Sequence, residues 1–447
     1  MPLLSDHSGR GSVLMAWIAA GLGFTGVFLL MLLGLPIAIA MLLVGFCGIW
    51  LLMGEGAAFG MMGQVPYNTT LSYELSVVPM FILMGAIISR TGMAADLYRL
   101  CNSLLGHLRG GLAMATILAC GGFSAVCGSS IATAATMAKV AIPEMDRYKY
   151  GQGFAAASVA AGGTLGILIP PSVIMVLYGI ATGTDIGKLF IAGILPGVLA
   201  VSLYLAAVWV HARLHADEAP SGPRATLIER LRLLAPVGPV LVLFLVIIGG
   251  LYFGLFTPTE AAGVGAASAL LIAMIRRLIR LREFIDALVE TVRTTASLFL
   301  VLIGALVFSN FVNLAGLPAA LSGLIEQLGL SPLGVILVIL LVYVVLGMFM
   351  ESLSMILLTI PVFFPIISAQ GFDPVWFGIF AVMVTELSLI TPPVGLNLFV
   401  IRGVIPHIPI AAIYRGILPF VLADLVRIGL LIAFPAIVLW LPAMASR

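Results

Sequence analysis

Few residues of this chain carry charge. Asp, Glu, Lys and Arg make up 9% of its 447 residues, against about a quarter in soluble domains. Hydrophobic residues make up 62% and the mean hydropathy is +1.22. This excludes a soluble globule and leaves a polytopic membrane protein, held in a lipid bilayer. A net charge of +2 also argues against nucleic-acid binding, which calls for a concentrated basic face. The four cysteines, Cys47, Cys101, Cys120 and Cys127, lie in or beside apolar segments without metal-ligand spacing. They read as small buried hydrophobes and not as disulfides. None of the histidines (His7, His107, His211, His215, His407) falls deep in an apolar run. No H-E-x-x-H, Walker A or serine-nucleophile motif is present, which argues against a metalloprotease or an ATPase.

What is there is a series of apolar runs, at 13–33, 36–53, 77–89, 154–183, 190–210, 237–256, 258–275, 294–314, 375–404 and 413–441. A helix needs roughly 20 residues to cross a bilayer. A short polar lead with Arg10 precedes the first run. No convincing cleavage site follows, so it reads as a retained span. Two further stretches, 110–144 and 334–367, are apolar, carry glycine and serine near their middles, and are too long for one crossing.

Two of the spans contain adjacent prolines, Pro170-Pro171 and Pro392-Pro393. Such a pair removes two backbone donors and clashes with the preceding turn, so no continuous helix survives it. In hydrocarbon each freed polar group costs several kcal/mol unless something satisfies it. The two pairs stand 222 positions apart. At the same offset Ser130 meets Ser352, Val140 meets Val362, Pro143 meets Pro365, Leu165 meets Leu387 and Pro36 meets Pro258. Across small gaps Gly85 pairs with Gly304 and Gly106 with Gly329. The chain therefore reads as all-α with two repeats, 1–210 and 233–447, joined by a loop at 211–232. Each repeat holds a glycine–serine segment (about 110–144 and 334–367) and a proline-broken helix (about 154–183 and 375–404).

Arg90, Arg99, Arg109, Arg147 and Lys149 flank the first glycine–serine segment, whereas the flanks of the second, 316–332 and 368–373, carry no Lys or Arg. The positive-inside rule places the first set in the cytoplasm and the second outside. Arg213, Arg224, Arg230, Arg232, the stretch 276–293 and Arg402 also fall inside if each half has five crossings. The repeats are then inverted. Both glycine–serine segments become re-entrant hairpins, one from each side. Inverted repeats with interrupted helices are the architecture of secondary transporters. The freed carbonyls at a break suit a small cation such as sodium, and half-helix N-termini suit an anion.

At FTPTEAAGVGA (256–266), GMFMES (347–352), ITPPVGLNLFV (390–400), GILIPPS (166–172) and GSSIATAATM (128–137) the chain resembles the large membrane subunit of tripartite ATP-independent periplasmic (TRAP) transporters, over about 27–442. The resemblance implies a subunit of the bacterial inner membrane that imports small organic acids, carboxylates or sulfonates, on a sodium gradient. It also implies an elevator motion of a transport domain against a scaffold. Two partners follow: a soluble periplasmic binding protein and a small four-helix membrane subunit, expected here as a separate chain. No cofactor is expected beyond sodium as coupling ion. The absence of deep histidines favours sodium over the proton.

The hairpin tips are Cys127-Gly128-Ser129-Ser130 and Phe349-Met350-Glu351-Ser352, the second just after Gly347. Glycine and serine there either allow a tight turn or present hydroxyls and backbone to an ion. On the second reading Ser129, Ser130, Ser352 and Thr391, with nearby carbonyls, hold sodium. Thr391 and Asn397 offer oxygen to an ion or cap a half-helix. Ser172 bonds to its own helix or faces the site. Glu351 and Glu386, whose repeat mates are Ser129 and Thr164, are acids within apolar segments, and such acids are functional by default. A structural hydrogen bond to a neighbouring hairpin is the other reading. Gly128, Gly166, Pro170, Pro171, Pro392 and Pro393 complete the candidate set. Thr257-Pro258-Thr259-Glu260 reads as a helix-capping box, and Asp424 with Arg427 as a neutralising pair. Two other functions stay open. One is a carrier like the divalent-anion/sodium symporters, working without a binding protein. The other is an intramembrane enzyme built on Glu351 and Glu386.

Overall fold

The computed structural model describes residues 7–445, with side chains from Leu14 onward. The polar lead and the side chains of His7 and Arg10 fall outside the described residues. Everything described is helix or connecting turn. The first half contains α1 (His7–Leu32), α2 (Ile37–Met53), α3 (Glu55–Leu71), α4 (Val77–Arg90), α5 (Met93–Leu105), α6 (Gly111–Cys127), α7 (Ser130–Arg147), α8 (Gln152–Leu168), α9 (Val173–Thr182) and α10 (Ile186–Leu214). The second contains α11 (Leu227–Tyr252), α12 (Pro258–Ile275), α13 (Leu281–Leu314), α14 (Leu317–Gln327), α15 (Pro332–Gly347), α16 (Ser352–Ala369), α17 (Pro374–Ile390), α18 (Leu396–Val404), α19 (Ile410–Ala433) and α20 (Ala436–Ala445). Nine of the described helical stretches are long and apolar enough to cross a membrane.

A single proline need not end a helix in this chain: Pro143, Pro196, Pro361, Pro365 and Pro419 all lie inside one. Paired prolines do. Helix α8 halts at Leu168 and α17 at Ile390. The residues that follow, Ile169 (ψ 120°) and Thr391 (ψ 126°), are extended, as the position before proline requires. Helices α9 and α18 resume at Val173 and Leu396. Both proline pairs are joined by cis peptide bonds.

The broken helices form the centre of the molecule. Helix α8 from Phe154 to Leu168, and α17 from Val375 to Ile390, are buried at every position. The α8 sequence, FAAASVAAGGTLGIL, is mostly Ala and Gly, so α6, α7, α17 and α19 all pack against it. Small residues let helix backbones approach closely where hydrocarbon supplies no hydrophobic drive. Around this block lies a second set of contacts, α2 on α13 and α4 on α12 and α13, with α5 bridging α6 to α11. The outer helices expose large apolar side chains, such as Leu22 and Leu29 on α1 and Val242 and Leu245 on α11, which suits contact with lipid.

Four elements depart from the hydropathy reading. Helix α3 has no counterpart among the expected spans, because Glu55, Gln64 and Asn68 dilute its apolar content. Helix α13 begins at Leu281, well before the expected span at 294–314, and runs unbroken for 34 residues through most of the charged stretch 276–293. The last expected span, 413–441, divides into α19 and α20 at Phe434-Pro435. Helix α10 extends to Leu214, so His211 stacks on Phe154 with ring centroids 3.9 Å apart. The expected capping box is present: Thr257 N–H donates to Glu260 Oε2 at 2.8 Å, and Glu260 N–H to Thr257 Oγ1 at 3.3 Å.

Candidate ion and substrate site

Helices α6 and α7 form a hairpin whose tip is a left-handed glycine, Gly128 (φ +64°), followed by extended Ser129. A side chain at Gly128 would be strained by that φ, and its Cβ would also lie 3.1 Å from the Pro171 carbonyl oxygen. At Gly166 a Cβ would come within 2.7 Å of the Ser129 carbonyl oxygen. Two missing side chains thus seat the first hairpin tip directly on the first break. Ser129 Oγ caps α7 by accepting from Ala132 N–H at 3.4 Å.

Helices α15 and α16 form the second hairpin. Gly347 packs where any side chain would overlap Ser388 of α17. Glu351 sits extended at the start of α16, exposed, with Oε2 accepting from Ser354 at 3.4 Å. Across the second break, Tyr414 of α19 donates its phenol hydrogen to the Pro393 and Val394 carbonyls. Its repeat position in the first half is Ala192.

Both tips open onto one cavity of about 330 Å³. Gly128, Ser129, Ser130, Glu351 and Ser352 line it, together with Thr136. The facing wall is one side of α4 (Ile82, Gly85, Ala86, Ser89) and one side of α13 (Glu290, Thr294, Leu298), each at the three-to-four-residue spacing of a helix face. Glu290 forms an ion pair with Arg90 at 2.5 Å. The α13 residues were not legible in the sequence. They lie in the charged stretch or at the border of the expected span 294–314, and only the tertiary packing turns them inward.

The remaining candidates stand behind this lining. Ser172 Oγ donates to Ile167 O at 2.6 Å and accepts from Met175 N–H at 3.4 Å. Thr391 Oγ1 donates to Leu387 O at 2.6 Å. Asn397 Nδ2 donates to Ala160 O at 3.4 Å, tying α18 to α8, while its buried Oδ1 has no hydrogen-bond partner among the described residues. Pro170, Pro171, Pro392 and Pro393 do not line this cavity.

Glu386 is elsewhere. It is fully buried, and its Oε2 accepts from Arg427 NH2 at 2.8 Å. The same nitrogen lies 2.9 Å from Asp424 Oδ1, which is the neutralising pair expected from sequence, extended by a second acid. Tyr204 donates to Asp424 Oδ2 at 2.8 Å and lies 3.3 Å from the Thr164 hydroxyl, which also donates to Ala161 O. Thr164 and Glu386 therefore belong to a charged cluster shared by α8, α10, α17 and α19. The anticipated partner of Glu386, a hairpin, is replaced by Arg427. Glu351 faces the cavity and Glu386 does not, so the acid pair that an intramembrane enzyme would need is not assembled.

Comparison with known proteins agrees with this architecture. Residues 24–437 match the family described as Tripartite ATP-independent periplasmic transporter, DctM component. The chain is 41% identical to the C4-dicarboxylate TRAP transporter large permease protein DctM of Pseudomonas aeruginosa, covering 84% of this chain and 88% of that one. It is 33% identical to the sialic acid TRAP transporter large permease protein SiaM of Vibrio cholerae, covering 93% and 96%. Among solved structures, the Alcanivorax borkumensis YdaH transporter superposes with a TM-score of 0.63 at 14% identity, over 85% of this chain and 90% of that one. That last likeness concerns the fold.

Proposed function

This chain belongs to the DctM component family of the tripartite ATP-independent periplasmic transporters, as a multi-pass inner-membrane permease, and we propose that it imports a small organic acid coupled to sodium. The observation that carries this reading is the single cavity onto which both hairpin tips open, with Ile167 and Val173 from either side of the first proline break in its wall. Relatives named for a C4-dicarboxylate and for sialic acid favour a carboxylate or sulfonate as substrate, delivered by a periplasmic binding protein and received with the help of a small membrane subunit. Family membership favours this over a carrier that works without a binding protein.

Sodium is a hard cation that takes oxygen ligands, and the candidate donors are of that kind: Ser129, Ser130, Ser352 and Thr391, Asn397 Oδ1, and the carbonyls freed at the breaks. The starts of α7 and α16 reach the cavity at Ser130 and Ser352, and helix N-termini favour the anionic end of a substrate. Repeats of opposite orientation follow from the flanking charges. Arg90 and Ser89 lie at the same end of α4, so the cavity opens toward the side assigned to the cytoplasm. An elevator motion would slide the buried block of hairpins and broken helices along α4 and α13, which supply the facing wall.

The test is Pro170→Ala/Pro171→Ala and, separately, Pro392→Ala/Pro393→Ala. Alanine is favoured over proline by about 3 kcal/mol per site in a helix interior, so each variant should insert and fold. The freed carbonyls would then enter helical hydrogen bonds. Sodium-driven uptake in proteoliposomes containing the small subunit and the loaded binding protein should fall to background. Near-normal uptake by either variant would show that the breaks only bend their helices.

A further inference from the structure

Within the two glycine–serine segments, 110–144 and 334–367, there is one basic residue, Lys139. It lies on α7, nine residues past the tip residue Ser130, which at 1.5 Å per residue is about 14 Å. Ala132 and Thr136 of α7 line the cavity. Lys139 follows them by seven and three residues, the spacing of one helix face, and it is exposed. The cavity face of α7 thus runs on through Lys139 toward the cytoplasmic end of the helix. The second hairpin points the same way. The residue 222 positions after Lys139 is Pro361, and Pro361 lines a smaller cavity, of about 130 Å³, with Ser309 and Asn313 of α13 opposite. In both hairpins this position faces a passage. On the wall across from Lys139, the lining ends at Ser89 on α4 and Glu290 on α13. Arg90, next to Ser89, is already paired with Glu290. Lys139 has neither an ion pair nor a hydrogen bond among the described residues, which leaves it free to take a partner from outside the chain.

We propose that Lys139 receives the carboxylate or sulfonate group of the substrate as it leaves the cavity toward the cytoplasm. Side chains of a helix tilt toward its N-terminus, and the N-terminus of α7 is the hairpin tip. The ammonium, on its flexible four-carbon stem, is therefore directed back toward Thr136 and the cavity. A lysine that only snorkelled to the membrane surface would extend the other way, toward Arg147. Pro361 puts no charge at the matching place of the second passage, so the attraction acts on one side alone. It favours an anion that has entered the inner mouth over one at the outer passage. This assignment rests on the transport reading of the cavity and adds to it the group that meets the anion on release.

Lys139, Lys149 and Lys188 are the only lysines of the chain, so amine acetylation reads each one separately. The chain with its small subunit is treated with an impermeant acetylating ester, in spheroplasts and in inverted membrane vesicles, and the products are mapped by mass spectrometry. Lys149 and Lys188, both exposed, serve as references for the two faces. Lys139 should react together with Lys149, from the inverted side. Succinate or isethionate should slow its acetylation about five-fold, the strength of one partly solvated ion pair, while Lys149 keeps its rate. That arm needs neither a variant nor transport. In proteoliposomes with a succinate-loaded binding protein, Lys139→Gln should raise by about five-fold the internal succinate concentration that half-inhibits sodium-driven uptake. The dependence on external binding protein should stay unchanged, and Lys139→Arg should restore the wild-type inhibition. A purely structural lysine would alter the protein level or both sides alike. The proposal is overturned if Lys139 reacts with Lys188 instead, if neither anion protects it, or if Lys139→Gln keeps the wild-type internal inhibition. Absence of sodium-driven uptake in the wild type, with Lys139 still protected by the anions, would count against the transport reading and not against this site.

Discussion

Replacing Arg427 with methionine should cost far more stability than its single positive charge suggests. Arg427, Glu386 and Asp424 are all completely buried. Among the described residues Glu386 has Arg427 as its one hydrogen-bond partner, and its Oε1 has none. Removing the guanidinium leaves two carboxylates enclosed with only the Tyr204 phenol between them. Breaking a buried pair by deleting one partner costs about 3–5 kcal/mol, which is roughly a hundred- to several-thousand-fold in the folded fraction at 1.4 kcal/mol per decade. Glu386→Gln is the informative contrast. It leaves Arg427 beside Asp424, a one-to-one pair, and should cost about 1–3 kcal/mol for a weakened hydrogen bond. The triple variant Arg427→Met/Glu386→Gln/Asp424→Asn removes every charge and should recover much of the loss. Buried Cys101 and Cys120 provide the assay. A thiol-reactive dye that fluoresces on conjugation reports the temperature at which they become accessible in detergent. The expected order of midpoints is wild type, Glu386→Gln, the triple variant, then Arg427→Met. An Arg427→Met midpoint equal to that of Glu386→Gln would refute the argument, because the cluster would then not depend on its cation.

Three further outcomes follow from the site. Ser130→Ala should raise the sodium concentration for half-maximal uptake more than Thr391→Ala does, since Ser130 lines the cavity whereas the Thr391 hydroxyl is already engaged by Leu387; equal dependence in both would assign Ser130 to the turn. Single cysteines at Arg147 and Ala369, both exposed, should label with an impermeant thiol reagent from opposite faces of the membrane in a background without native cysteines. Labelling from one face would end the inverted-repeat reading. Tyr414→Phe, which frees the Pro393 and Val394 carbonyls, should shift the sodium dependence without lowering the protein level, and an unchanged uptake curve would mean that neither carbonyl contributes.

The parts of this molecule that could be read in advance are those governed by local chemistry. Paired prolines break a helix wherever they stand, and the Cys127–Ser130 tip folds as glycine and serine dictate. The capping box at Thr257 needs only four residues. What escaped depends on partners far away in sequence. Glu386 and Arg427 are 41 positions apart, and nothing near Glu386 identifies its counter-ion. Arg427 had a nearer acid, Asp424, that accounted for it. Hydropathy marked 294–314 as a span but could not show that α13 begins at Leu281, because charged residues at a membrane border are compatible with helix and loop alike. Glu290 and Thr294 consequently came to the cavity unannounced.

The two proline breaks are guarded differently. The Pro171 carbonyl is covered by main chain, the Gly128 tip of its own hairpin. Its repeat mate, the Pro393 carbonyl, is covered by the side chain of Tyr414, and the mate of Gly128 is Met350, which cannot take glycine's place. Uncovering the first oxygen requires a hairpin to move as a body, a collective motion on the microsecond-to-millisecond scale. Uncovering the second requires a half-buried phenol to turn, which for rings free to rotate belongs to picoseconds or nanoseconds. Of two oxygens 222 positions apart, one is thus covered by a whole hairpin and the other by a single side chain.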